Sequence, residues 1–256
     1  MELNFSFMFL AFCVFIAGFV DSIAGGGGVI TIPAYLNYGV SEYFLLGTNK
    51  LSSTTGTFIA VFKYFSHTNF KKKYLFMIFV YSAVFSVLGA AFISSFPDYI
   101  IKIIVIFMVP FLSIYLLIKK DFALTDTSYM ITSAQKNLRT LIISSLVSFY
   151  DGMLGPGTGT FLAAGYSKFV GYDILKSTAL AKFTNLVSNI FALLTFLILG
   201  KVNIKLGLAM GFVSIFGNYL GSNIAIKNGT KTIKPMMVII SNLLLVKIII
   251  EFINGK

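Results

Sequence analysis

The stretch DSIAGGGG, residues 21–28, ends an apolar segment that runs from Phe5 to Val20, and DGMLGPGTG, residues 151–159, ends a second apolar segment, Leu141–Tyr150. Glycine costs about 1 kcal/mol per residue in a helix relative to alanine, so neither stretch can continue a regular helix. Each stretch leads into an apolar segment too short to cross a ~30 Å hydrocarbon core. The sequence therefore predicts two helix breaks within apolar surroundings.

The composition around these breaks is typical of a membrane protein. Of 256 residues, 57% are hydrophobic and 11% are charged, with a mean hydropathy of +0.89, whereas about a quarter of an average soluble domain is charged. Segments long enough to span a bilayer lie near Tyr43–Phe65, Leu75–Ile93, Tyr99–Ile118, Ile174–Leu199, Ile204–Ile224 and Met236–Ile253. We predict an all-α, multi-pass protein of the plasma membrane, with its first apolar segment retained because no basic residue precedes it.

The second half of the chain repeats the pattern of the first. Asp151 follows Asp21 by 130 residues, and Lys182 follows Lys50 by 132 residues. This self-similarity predicts two homologous repeats, residues 1–118 and 140–256, joined by a polar connecting loop at 119–139, with a broken helix or hairpin and about three spanning helices in each.

The orientation of the two repeats depends on the shape of the breaks. If each break interrupts a crossing helix, each repeat has four crossings and both point the same way. If each break is a re-entrant hairpin, each repeat has three crossings and the second is inverted. Counting basic residues on each side of the membrane does not separate these alternatives, because the lysines that would change sides between the two models are equal in number in each direction.

Several function classes are excluded by composition and motif. The formal charge of +11 resides mostly in short loops, which is typical of the positive-inside signal and not of a nucleic-acid surface. One cysteine, Cys13, and one histidine, His67, cannot supply a disulfide, a zinc site or an iron–sulfur site. No motif of a metalloprotease, serine hydrolase or phosphate-binding loop occurs. We expect no enzyme activity, no catalytic residue, no metal and no cofactor.

The glycines of the two breaks are candidate ligands of an anion. Non-helical backbone within a membrane must be satisfied by protein or line a wet cavity, and its N–H groups, with the positive end of the next short helix, favour negative charge. The alternative is close helix packing through small residues. The glycines concerned are Gly25, Gly26, Gly27, Gly28, Gly155, Gly157 and Gly159.

The helix after each break carries a polar face that includes a lysine. Lys182, Asn185 and Asn189 lie at i, i+3 and i+7, and Lys50, Ser53 and Thr57 form the corresponding face of the earlier helix. Ionisable groups within spans are costly and mark substrate pathways, although a lysine near a helix end can instead extend to the interface. Thr48 and Thr158 add hydrogen-bonding side chains near these positions.

Two aspartates precede the breaks. Asp21 and Asp151 are candidates for proton or ion coupling, either by binding protons or by pairing with the two lysines. Equally, each aspartate could cap the short helix that follows it.

Together these residues resemble the sulfite exporter TauE/SafE family, also called toluene sulfonate uptake permeases. Asp21 to Gly28 with Pro33, followed by Gly47-Thr48-Asn49-Lys50, resembles the signature of the first repeat of that family. The stretches 151–159 and 179–185 are similar to that of its second repeat. The resemblance covers about residues 8–250, although the first break lacks the larger residues usually found between the glycines. It implies a duplicated permease for sulfite, sulfonates or related sulfur-containing organic anions.

We therefore predict a permease that moves a small anion by alternating access between the two sides of a lipid bilayer. An anion channel with a carbonyl filter and a non-transporting membrane scaffold are the alternatives. The sequence leaves the oligomeric state open, a homo-oligomer included.

Overall fold

The computed structural model describes residues 5–97, 99, 100, 103 and 125–228, which form helices and turns without a strand. This confirms the predicted all-α class for that part of the chain. The whole of the predicted span 236–253 and most of 99–118 lie outside it. The helices are α1 (Phe5–Ala24), α2 (Gly28–Asn37), α3 (Glu42–Phe65), α4 (Lys72–Ser94), a 3-10 turn (Ser128–Met130), α5 (Ser133–Met153), α6 (Thr158–Gly165) with a π-helical turn (Tyr166–Val170), α7 (Ile174–Ile198) and α8 (Ile204–Asn228).

Three predicted boundaries were wrong. α1 runs to Ala24 and α5 runs to Met153, so Asp21 and Asp151 both lie inside helices. The glycines that follow end these helices, and the aspartates do not. α5 begins at Ser133, within the segment predicted as a loop, because Thr132 and Gln135 form a capping box.

Four of the described helices are long and apolar enough to cross a membrane, namely α1, α4, α7 and α8. α3 is as long as these, but polar residues reduce its hydropathy. Those polar residues are buried between helices and not exposed to lipid: Thr48, Asn49, Lys50, Ser52 and Thr57. Large apolar side chains, such as Phe76 on α4 and Phe212 on α8, are exposed on the outside of the bundle.

The first break is a hairpin turn. Gly25 and Gly26 have φ of +81° and +98°, a region that glycine adopts without steric cost. A Cβ on Gly27 would lie 2.8 Å from the carbonyl oxygen of Ala17, well back along α1. At the far end of α2, the ring of Tyr38 packs against Phe7, with ring centroids 6.4 Å apart. The chain therefore reverses direction at Gly25, and α2 returns beside α1.

The second break is also a hairpin turn. Gly155 and Gly157 have φ of +93° and +80°. Beyond α6, the carbonyl of Phe169 accepts a hydrogen bond from Arg139 Nη1 at 2.9 Å, and Arg139 lies near the start of α5. Tyr166 is hydrogen-bonded to Ser144 of α5 at 2.9 Å. α6 therefore returns beside α5, and both breaks are re-entrant hairpins.

Helices α3 and α7 run in opposite directions. The Tyr43 hydroxyl, near the start of α3, donates to the carbonyl of Leu199 after the end of α7 at 3.3 Å. Phe70, beyond the end of α3, packs against Tyr172, just before α7, with centroids 5.8 Å apart. Hence α3 and α7 are antiparallel. We call the end of the bundle where α3 begins the Glu42 end, and the end where α4 and α7 begin the Lys72 end.

The polar segment before α5 is attached to α7 at the Lys72 end. The Thr127 N–H donates to the carbonyl of Gly171 at 2.7 Å, and Lys176 Nζ lies 2.6 Å from Asp126 Oδ2. Partial burial alone would raise the pKa of Asp126, but hydrogen bonds from Lys176 and Ser128 lower it below its ordinary value.

Candidate functional site

The tips of the two hairpins meet inside the bundle. Thr160 Oγ1 donates a hydrogen bond to the carbonyl of Ala24 at 2.8 Å. A Cβ on Gly25 would lie 2.7 Å from the Cα of Gly159, a distance that real Cβ atoms do not show. The two tips can approach this closely only because both residues lack a side chain.

Lys50 of α3 pairs with the aspartate of the second hairpin. Its Nζ lies 2.8 Å from Asp151 Oδ2, and the two side chains are 3% and 2% exposed. Lys50 also donates to Asn189 Oδ1 at 2.8 Å, while Ser188 Oγ donates to Asp151 Oδ2 at 2.5 Å. The buried charges are thus both paired and hydrogen-bonded, as burial in a membrane requires.

Lys182 of α7 pairs with the aspartate of the first hairpin. Its Nζ lies 2.8 Å from Asp21 Oδ2 and also donates to the backbone carbonyl of Asp21. Asp21 Oδ1 accepts from the N–H of Gly27 at 3.2 Å. Both lysines are therefore buried, and neither extends to the membrane interface. Asp21 thus both pairs with a lysine and accepts a hydrogen bond from Gly27, the residue that precedes the short helix α2.

A cavity of about 30 Å³ lies beside the Lys50–Asp151 pair. This is room for roughly two water molecules. The predicted site residues that line it are Asp21, Gly27, Gly28, Asn49, Lys50, Asp151, Gly155, Asn185 and Asn189. Asn189 Nδ2 donates to Asn185 Oδ1 at 3.3 Å, so the two amides form a chain from Lys50 along α7.

The other predicted site residues lie close by but do not line this cavity. Gly25 and Gly159 form the tip contact, Gly26 and Gly157 adopt positive φ in the turns, and Lys182 is enclosed behind Asp21. Thr158 Oγ1 donates to the carbonyl of Gly155 at 2.8 Å, and Thr48 Oγ1 accepts from the N–H of Asn203 at 3.0 Å. The two threonine hydroxyls thus stabilise backbone turns.

Sequence reasoning missed four polar residues that line the cavity: Thr31, Ser52, Ser214 and Asn218. Thr31 Oγ1 donates to Asn49 Oδ1 at 2.5 Å. Asn218 Nδ2 donates to the carbonyl of Ser214 at 3.0 Å, and its Oδ1 is buried without a partner among the described residues. The signal for the α8 pair was present, because Ser214 and Asn218 lie four residues apart on one face of a largely apolar helix.

The hairpins leave the cavity-lining amides of Gly28 and Gly155 without a hydrogen-bond partner among the described residues. None of the hydrogen bonds among the described residues uses the N–H of Gly28, which lies in the first turn of α2 and lines the cavity. An N–H at a helix N-terminus favours an anion. Within the described part of the chain, no group of histidine, cysteine, aspartate and glutamate side chains could hold a metal ion.

Comparison with known proteins gives one consistent result. The family model "Sulfite exporter TauE/SafE" matches residues 10–248. A Sinorhizobium protein named "Probable membrane transporter protein ORF9" is 39% identical over 96% of this chain and 92% of its own length. A Haemophilus influenzae "Probable membrane transporter protein" is 32% identical over 98% of each chain, and Escherichia coli "Probable membrane transporter protein YfcA" is 32% identical over 94% and 89%. No solved structure matches the chain.

Proposed function

Because this chain belongs to the sulfite exporter TauE/SafE family of membrane transporters, we propose that it is a permease for a small anion that works by alternating access. The observation that carries the proposal is the buried lysine Lys50 on the wall of a polar cavity between two hairpin tips. A lysine is costly in a membrane and is retained where a substrate or ion needs it.

The cavity provides donors for an anion. Lys50 carries three N–H donors, of which Asp151 and Asn189 accept two, Asn185 and Asn189 carry amide N–H groups, and Gly28 offers a free backbone N–H. The single arginine of the sequence, Arg139, is bonded to Phe169 near the Lys72 end, so a guanidinium does not take part. Weak point-charge binding of this kind suits a carrier that must also release its substrate.

We assign the substrate to the sulfite and sulfonate class. The support is the family, which is named for sulfite export, together with the oxyanion-compatible donors of the cavity. At about 30 Å³, the cavity in this conformation is too narrow for an organic sulfonate. Loading such a substrate requires the helices around the cavity to separate, as in an alternating-access cycle.

Reciprocal contacts between the two parts of the chain support the predicted duplication. Lys50 pairs with Asp151, and Lys182 pairs with Asp21. Gly217 of α8 meets the backbone of α1, and Gly89 of α4 meets the backbone of α5. With α3 and α7 antiparallel, these relations are those of an inverted repeat around a central site, the architecture on which alternating access is commonly built.

The charge distribution supports one orientation in the plasma membrane. Lysine and arginine accumulate on the cytoplasmic side of membrane proteins. Among the described residues, the basic side chains at the Lys72 end are Lys63, Lys71, Lys72, Lys73, Lys136, Arg139, Lys168, Lys176 and Lys227, against Lys201 and Lys205 at the Glu42 end. We therefore place the Lys72 end in the cytoplasm.

The test is uptake of labelled sulfite or sulfonate by the purified protein in liposomes. Lys50→Met should reduce the rate at least a hundredfold, because the buried counter-charge of the substrate is lost. Lys63→Met is the matched control: this lysine is on the same helix, but its Nζ lies over the Tyr219 ring, 4.2 Å from the centroid, and its loss should leave uptake unchanged.

Three outcomes would contradict the proposal. Equal uptake by Lys50→Met and Lys63→Met would remove Lys50 from the pathway. Flux without saturation, at the rates of ionic conductance, would favour a channel. No uptake of any sulfur oxyanion by the unmodified protein would favour a scaffold.

A further inference from the structure

We propose that Asp151 takes up a proton when the anion binds Lys50, so that each monovalent anion crosses the membrane together with one proton. This inference rests on the proposed permease function and adds the co-transported ion, the residue that carries it and the stoichiometry. It follows from the charge balance of the Lys50–Asp151 pair and from the fact that an anion in the cavity can reach only one of the two buried lysines.

The Lys50–Asp151 pair is electrically neutral and almost completely enclosed, with side chains 3% and 2% exposed. If a monovalent anion joined this pair with Asp151 still ionised, the site would hold one net negative charge away from water. An uncompensated buried charge is strongly unfavourable. A proton on Asp151 restores neutrality, because Lys50 then has the anion as its only negative partner.

The surroundings of Asp151 can accept the neutral acid. Ser188 Oγ donates to Asp151 Oδ2 at 2.5 Å and also lies 3.1 Å from the carbonyl of Asn185. A hydroxyl both donates and accepts, so Ser188 can turn its hydrogen to Asn185 and accept the new O–H of Asp151. Asn189 Oδ1, 2.8 Å from Lys50 Nζ, keeps the ammonium in place during the exchange of partners.

The ionisable groups around Asp151 leave Lys50 as its counter-ion. α3 contributes Lys50, and α1 contributes Asp21, whose charge also interacts with Lys50. Tyr150 is the neighbour of Asp151 on α5. α6 carries no ionisable side chain. The remaining ionisable residues on the helical segments that pack against α5 are Lys72, Lys73, Tyr74 and Tyr81 on α4, Tyr166 and Lys168 on the π-helical turn, and Lys176 and Lys182 on α7. Lys176 is paired with Asp126 and Lys182 with Asp21.

The second ion pair is not equally accessible. Asp21 lines the cavity, but Lys182 does not and is 1% exposed behind it. Asp21 is further held by the Gly27 N–H. An anion in this cavity can therefore replace Asp151 at Lys50, whereas it cannot reach Lys182. In this conformation, therefore, one proton is taken up for each negative charge that binds in the cavity.

The cycle balances as follows. On the loading side, an anion and a proton enter from water; the Lys50–Asp151 ion pair separates, an O–H bond forms on Asp151, and the anion pairs with Lys50. On the releasing side, the anion leaves, Asp151 returns its proton to water, and the ion pair forms again. No net charge crosses the membrane when the anion is monovalent.

The test uses liposomes containing the full-length protein and a labelled sulfonate. A sulfonate remains ionised across the working pH range, so a pH gradient cannot act by protonating the substrate. With the exterior one pH unit more acidic, the unmodified protein should accumulate the anion about tenfold inside. Clamping the membrane potential with potassium and valinomycin should leave this ratio unchanged.

Asp151→Asn separates coupling from transport. It carries a permanently neutral side chain at the site of the proton, so whatever its rate of exchange of labelled for unlabelled sulfonate at equal pH, it should accumulate no sulfonate under the gradient. Asp151→Glu, which restores a titratable carboxyl, should recover accumulation. Asp126→Asn, outside the cavity, should behave like the unmodified protein.

The outcomes are distinguishable. Exchange by the unmodified protein without accumulation in the pH gradient would overturn the proton coupling and leave the permease intact, as would accumulation by a well-folded Asp151→Asn. Absence of exchange in the unmodified protein would instead overturn the permease function. If Asp151→Asn does not fold, loss of accumulation with retained exchange in Asp151→Glu would count against the proposal.

Discussion

The reciprocal pairing of the two lysines with the two aspartates can be tested by double-mutant cycles. Lys182→Met leaves the Asp21 carboxylate without a counter-charge in a site where Asp21 is 17% exposed. Removing one partner of a buried ion pair costs about 3–5 kcal/mol, and the partial exposure of Asp21 places the loss near the lower value. Asp21→Asn in the same protein removes the remaining charge and should restore much of the stability.

The magnitude to measure is the coupling energy. We expect about 2–3 kcal/mol for Lys182 with Asp21, and at least as much for the more deeply buried Lys50 with Asp151. The pairs within one part of the chain, Lys50 with Asp21 and Lys182 with Asp151, should couple by about 1 kcal/mol or less, since neither is in contact.

The assay is reversible unfolding of the purified protein in mixed detergent micelles, followed by helical circular dichroism. All four single variants and four double variants are compared under one condition. A stronger coupling within each part of the chain than between the parts would refute the crossed arrangement. Strictly additive losses in all four cycles would show that the buried pairs do not interact energetically.

Three further predictions concern the hairpins, the polar linker and the topology. Gly25→Ala should abolish transport and lower the melting temperature strongly, because its Cβ would collide with the opposite hairpin tip; Gly39→Ala, with φ of +93° and no atom within 4 Å of the new Cβ, should cost only the strain of about 1–2 kcal/mol. Asp126→Asn should destabilise the protein by less than about 1 kcal/mol at neutral pH. Because the folded pKa of Asp126 is lowered, its contribution is present above the unfolded value, and the difference should vanish as pH falls through the folded pKa. In a cysteine-free background, Asn203→Cys should react with an impermeant thiol reagent added outside cells and His67→Cys should not; the reverse would place the Lys72 end outside.

Local properties of the sequence were enough to predict much of the fold. Hydropathy alone predicted the spanning helices near residues 75–93, 174–199 and 204–224, because transfer of apolar surface into lipid is decided segment by segment. The glycine runs predicted both breaks, since glycine is required where φ is positive. Asp21 and Asp151 were placed outside their helices, and this was wrong because a carboxylate inside a helix is tolerated when a lysine from another helix pairs with it.

The candidate site could be predicted only in part. Lys50, Asn185 and Asn189 were identified because polar residues on one face of an apolar helix must avoid lipid. Thr31 and Ser52 were missed, because single hydroxyls in a helix usually bond to their own backbone and give no sequence signal.

The sequence by itself therefore determined that the chain lies in a lipid bilayer, that it is helical, where its helices break, and which residue types are available to bind an anion. Tertiary structure alone decided that the chain turns back at each break, that Lys50 meets Asp151 and Lys182 meets Asp21, and that Lys50 lines the cavity whereas Lys182 does not. The physical reason is that hydropathy and glycine strain are free energies of local segments. The pairing of charges more than a hundred residues apart depends instead on which helix faces pack together, because each buried charge must find its partner across a helix interface.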